Sequence, residues 1–187
     1  MTPSPLVRHL PALAATLGFV GLIALGARVD VAVPGSPVPQ SLQTLSVLAA
    51  ELALGPRWGL VAGLIYLAAG ALGLPVFAGG ASGVSAISGP TAGYLVGFPL
   101  AALLVGIGSR TLSPGPVWRT MLLIFALALA GHLVILALGW AGLGLRIGTS
   151  EALSAGVTPF LWGMAVKSAA LALIAPLLLA LRDRLNI

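Results

Sequence analysis

The chain has 187 residues, 59% of them hydrophobic and 7% charged, with a formal net charge of +5. Soluble domains carry about 25% charged residues, so this balance excludes a water-soluble fold and indicates an integral membrane protein, read here as one domain over residues 1–187. The absence of cysteine excludes disulfides, thiol catalysis and thiolate metal sites.

Six apolar segments follow in order, at roughly 10–27, 41–54, 59–74, 93–108, 119–139 and 160–181. A membrane span needs about 20 apolar residues. The first could alternatively be a cleaved signal peptide, with Arg8 as its basic end, but its apolar run is long for that role. The second is short: Ser41 to Leu54, between Pro39 and the Gly55-Pro56 pair, covers roughly 20 Å of a ~30 Å hydrocarbon core. The stiff stretch at 33–39, with three prolines in seven residues, is therefore expected to dip toward the bilayer, where irregular backbone must be buried in protein or line a cavity. Residues 58–109 contain no charged side chain, and within them Pro75–Ala92 holds four Gly, three Ser and two Pro. Two apolar helices joined by a loop that folds onto protein or covers a ligand explain this pattern.

Six spans place both termini on one side. Arg8, Arg57, Arg110, Arg119, Arg182 and Arg184 share that side, against Arg28 and Arg146 opposite. Positive residues favour the cytoplasm, so both termini are expected there. The connections at about 28–40, 75–92 and 140–158 then become long extracytoplasmic loops, and the working face is external. The tryptophans Trp58, Trp118, Trp140 and Trp162 all fall near span ends, as in an aromatic belt.

Lys167 is the most informative single residue. Thr158-Pro159 reads as the cap and first residue of the sixth helix, which places Lys167 about 12 Å inside it. A lysine at that depth faces protein, water or a partner, or else snorkels. Met164 and Leu171 are its helical neighbours, so no acid on its own helix neutralises it; an anionic ligand would. Gln43 and Thr44 either bind a polar ligand or cap the second helix. His132 reads as a packing residue, and Glu51 as the partner of Arg57 in an interfacial ion pair. No catalytic, metal or nucleotide-binding constellation is present, which argues against an enzyme. A channel would need a polar lining through the full bilayer thickness, and the cytoplasmic halves of these helices supply almost none.

Three segments carry a family resemblance: VPGSPVPQSLQTL at 33–45 leading to LGPR at 54–57, GLPVFAGG at 73–80 followed by SGPTAGYLVGF at 88–98, and TPFLWGMAVK at 158–167. The chain resembles the BioY family, the biotin-binding S components of energy-coupling factor transporters. That resemblance implies an all-α membrane protein of six transmembrane helices, with cytoplasmic termini, gating loops and a vitamin pocket near the outer face of the cell membrane. It implies biotin as the transported ligand, no cofactor and no nucleic acid. The implied partners are a transmembrane coupling protein and two ATP-binding-cassette ATPases, although some members are reported to work without them. An S component for another small vitamin and a stand-alone facilitator or channel are the alternatives.

The implied binding set is Lys167, Gln43, Thr44, Phe77, Gly79, Thr91, Tyr94 and Met164. Lys167 would neutralise the biotin carboxylate. Gln43, Thr44, Thr91 and Tyr94 would serve the ureido group. Three positions depart from the family pattern: Trp162 stands where proline is usual, Met164 where aspartate is usual, and Gly79 where asparagine is common. Ala14 and Gly18 on the first helix suit close packing, against the coupling protein or within the bundle.

Overall fold

The computed structural model describes residues 5–112 and 115–185, with side chains from His9 onward; the side chain of Arg8 lies outside the described residues. Helix α1 spans Pro5–Arg28. A two-stranded ribbon follows, β1 (Asp30–Val31) paired antiparallel with β2 (Gln40–Ser41). Then come α2 (Gln43–Ala71), α3 (Gly83–Ile87), α4 (Ala92–Arg110), α5 (Val117–Ile147), α6 (Thr149–Gly156) and α7 (Leu161–Leu185). Among the described residues, five helical stretches are long and apolar enough to cross a membrane: His9–Arg28, Gln43–Ala71, Ala92–Arg110, Val117–Ile147 and Thr149–Leu185.

The second and third expected segments are joined in one element, but α2 is not a straight rod. Gly55 has φ 69 and ψ 175, a conformation that favours glycine, and Pro56 has no N–H to continue the ladder. The helix stops at Leu54 and restarts at Pro56. Gln43 then donates to the hydroxyl of Tyr66 at 2.8 Å. In a straight helix 23 residues would separate those groups by about 34 Å, so α2 folds back on itself as a hairpin with its elbow at Gly55.

Two expected loops are more regular than the sequence suggested. The proline-rich stretch ends in the β1–β2 ribbon, because backbone beside a cavity pairs with itself when no water is at hand. The connection at 140–158 is mostly helical. Its Gly142 is a helix-packing position, where an added Cβ would stand 3.0 Å from the Cα of Gly93; on the facing helix α4, a Cβ added at Gly97 would stand 2.9 Å from the Cα of Ile135. Helices α4 and α5 touch backbone to backbone through this face. Helix α5 then runs past Trp140, whose indole donates to Thr149 O at 3.0 Å, until Gly148, at φ 89, turns the chain into α6.

The interior holds small residues and medium-sized apolar ones, among them Leu48, Leu52, Ile124, Ile135 and Leu171, all buried. The outer surface is equally apolar, with Leu25, Trp118, Leu145, Trp162 and Leu177 exposed. Lipid is as apolar as leucine, so packing density and hydrogen bonds decide which face turns inward. Ala14 and Gly18 face outward, and a Cβ added at Gly18 would meet nothing within 4 Å.

The expected Glu51–Arg57 ion pair does not form. Glu51 is fully buried and neither oxygen has a partner among the described residues, while Arg57 is exposed. The elbow separates them: Glu51 lies on the inner side of the first leg, and Arg57 leaves the turn outward.

Candidate functional site

The ribbon, the start of α2, the loop after it, α4, α5 and the start of α7 enclose a cavity near the end of the bundle opposite the elbow. It holds about 740 Å³ when the open solvent at its mouth is included. The first wall is Val38 to Ser41 of the ribbon with Gln43 and Thr44 of α2. Phe77, Ala78 and Ala81 of the following loop form the second, with Thr91, Tyr94, Leu95 and Phe98 of α4. His132, Ile135 and Leu136 of α5 and Phe160, Met164 and Lys167 complete it.

Among the described residues, Lys167 is the single charged side chain on that wall. The 3-10 turn Thr158–Phe160 leads into α7, and the hydroxyl of Thr158 donates to Leu153 O at 3.1 Å instead of capping the helix. The unpaired carbonyls at the end of α6 are the nearer acceptors. Gly163 lets the ribbon lie against α7, since a Cβ there would collide with the Gln40 amide. That approach brings Ser41 O to the Lys167 ammonium, which donates to it at 3.2 Å. An ammonium has three N–H groups, so donors remain for a ligand.

The other polar side chains are held by protein. Gln43 caps nothing; its amide is spent on Tyr66, whose hydroxyl donates to Val76 O at 2.9 Å. Tyr94 donates to Gly156 O at 2.6 Å, and Thr91 to Ala86 O at 3.3 Å. The Nδ1–H of His132 donates to Ala128 O at 2.9 Å, which leaves Nε2 to accept from the Thr44 hydroxyl at 3.1 Å. Ser168 Oγ lies 3.1 Å from Nδ1. Hydroxyls that donate to protein keep their lone pairs, so Thr44, Thr91 and Tyr94 present acceptors to the cavity. Phe77 is buried and meets Tyr66 edge-on at 5.5 Å.

Seven of the eight expected residues line the cavity. Gly79 does not. At φ 66 it turns the loop between Ala78 and Ala81, and its own missing side chain faces open space. Arg28 and Arg146 hold the ends of this loop, Arg28 on Pro75 O and Arg146 on Ser88 O.

The chain matches the BioY family over residues 2–184. It belongs to that family. A probable biotin transporter BioY of Pyrococcus horikoshii is 39% identical over 84% of this chain and 89% of its own length. The biotin transporter BioY of Thermotoga maritima is 36% identical, with the same coverage of each. The fold agrees with the crystal structure of an S-component for biotin from an ECF-type ABC transporter. The TM-score is 0.81 and the identity 23%, covering 95% of this chain and 94% of that one.

Against this BioY-family frame, His132 is the residue that sequence reasoning undervalued. The sequence marks it as a packing group, and it does pack, but it also lines the cavity and accepts from Thr44. A polar residue in the middle of α5 was the available signal; its direction was not. Gln40 and Ser41 were also missed, because their role comes from the ribbon's approach to Gly163.

Proposed function

We propose that this BioY-family chain binds biotin in the cavity beneath the 75–92 loop and serves its uptake as the membrane-embedded S component of an energy-coupling factor transporter. It is a transport protein and not an enzyme. One observation carries the reading: the three sequence segments at 33–45, 73–98 and 158–167, far apart along the chain, line one cavity whose only charged wall residue, among the described residues, is Lys167. Biotin offers one carboxylate, an apolar chain and thioether ring, and a ureido group with two N–H donors. Lys167 neutralises the carboxylate, Phe77, Leu95, Phe98 and Ile135 hold the apolar parts, and the acceptors on Thr44, Thr91 and Tyr94 meet the ureido N–H groups.

The same reading extends to topology and partners. The two legs of α2 count as separate crossings, which makes six and puts both termini on the cytoplasmic side of the cell membrane with the elbow. The grouping of Arg110 and Arg182 around Gly55 supports this orientation. The loop at 75–92 gates the pocket from outside. The outward face of α1, with Ala14 and Gly18, suits a transmembrane coupling protein, and two ATP-binding-cassette ATPases would supply the energy. Calorimetric titration of the purified chain should give one biotin per chain without ATP. No heat with biotin, together with binding of another vitamin, overturns the ligand assignment.

A further inference from the structure

Glu51 has no part in the biotin site, and its surroundings are built to receive it. The protein has four carboxyl side chains; Glu151 and Asp183 are exposed and Asp30 is partly so, whereas Glu51 is fully buried with both oxygens unpartnered among the described residues. Glycines flank it on two sides. A Cβ at Gly59, on the second leg of α2, would stand 2.5 Å from the carboxyl carbon, and one at Gly106 of α4 would stand 2.5 Å from Oε2. Among the described residues, the basic groups of the elbow do not reach it. Arg110 of α4 and Arg182 of α7 lie over Gly55, with Arg182 donating to Ser109 at 3.0 Å. Arg57 is exposed, and His9 of α1 rests on Trp58.

An unpaired carboxylate in an apolar interior is costly, and intramembrane acids mark ion or proton sites. A metal ion needs several oxygen ligands, and no cluster of three metal-ligating side chains occurs among the described residues. A proton needs only the one carboxyl. We propose that Glu51 is a proton-binding site linked to the ligand pocket, holding one proton while the α2 hairpin is packed on α4 and releasing it to elbow-side water when they part. The only bond change is formation or loss of one O–H bond. Linkage follows from the hairpin itself. Its first leg carries Gln43 and Thr44 at the pocket and Glu51 at the elbow, and it is tied to the second leg by Gln43–Tyr66 at one end and rests on Gly59 at the other. Loosening the elbow therefore disturbs the pocket, and the effect is reciprocal. The proton site stands on its own geometry; its link to the pocket rests on the biotin reading.

The test uses the full chain in lipid nanodiscs, as wild type, Glu51→Gln and Glu51→Met, with infrared spectra and biotin titrations across pH. At neutral pH the wild type should show the C=O stretch of a protonated carboxylic acid, and both variants should lack it. As pH rises, wild-type biotin affinity should fall about tenfold further than that of either variant. A folded wild type without the band, or variants that keep it, overturns the proton site. The band together with identical pH profiles in all three proteins overturns the linkage. If none of the three binds biotin, the ligand assignment falls while the infrared band still decides the proton site.

Discussion

Lys167, His132 and Gln43, at the pocket end of the bundle, each have a hydrogen-bond partner at 3.2 Å or less, whereas Glu51, at the elbow end, has none among the described residues. All four are buried polar groups in a membrane domain. The pocket groups are held in place by protein: Lys167 keeps two N–H donors for a ligand, while Gln43 and His132 fix Tyr66 and Thr44 around it, which is the condition for binding a polar ligand with little reorganisation. The elbow group is surrounded by glycine backbone and apolar atoms. Under the two proposals made above, the satisfied polar groups at one end hold a solute and the unsatisfied one at the other responds to whether the bundle is closed.

The contrast predicts opposite outcomes for removing polarity at the two ends. The largest effect is expected at Lys167. Lys167→Ala should weaken biotin at least tenfold, about 1.4 kcal/mol, because the carboxylate is left desolvated and unpaired. Biotin amide should lose much less, and equal losses for both ligands in titrations would make Lys167 a structural residue. Tyr94→Phe comes next. It leaves Gly156 O without its donor, so thermal unfolding should report a loss of roughly 1–3 kcal/mol; an unchanged midpoint would show that this bond contributes nothing.

Met164 tests how tightly the pocket end is coupled. It lies one helical turn from Lys167 on the same wall. Met164→Asp should change biotin affinity by roughly 1 kcal/mol. A double-mutant cycle with Lys167→Ala should give a coupling above about 0.5 kcal/mol, and additive effects would separate the two positions. The smallest expected change is at the elbow. Glu51→Met should stabilise the protein at neutral pH by up to about 1 kcal/mol, since it removes an unsatisfied group and keeps the volume. A clear loss of thermal stability would mean that the carboxyl has a partner there.

Much of the helical organisation was legible because the bilayer imposes simple demands. Apolar runs, the Gly55-Pro56 break and the charge-free stretch at 58–109 each report a local rule of span length, backbone conformation or solvation. The cavity's location was legible through Lys167, an expensive residue at depth. The errors share another cause. Gly142 and Gly144 suggested a loop and proved to be helical, because glycine serves both turns and close helix packing. Sequence proximity suggests a Glu51–Arg57 pair, and the elbow turns the two apart.

Composition and local pattern were sufficient for a helical membrane protein, its break at Gly55 and a buried cation at Lys167, since these depend on how each segment meets lipid. Three-dimensional packing alone decided that His132 holds Thr44, that Ser41 O anchors Lys167 across the ribbon, and that Glu51 rests between Gly59 and Gly106. Those contacts join residues from different helices. In a chain whose outer and inner faces are equally apolar, no periodicity in the sequence says which side of a helix turns inward.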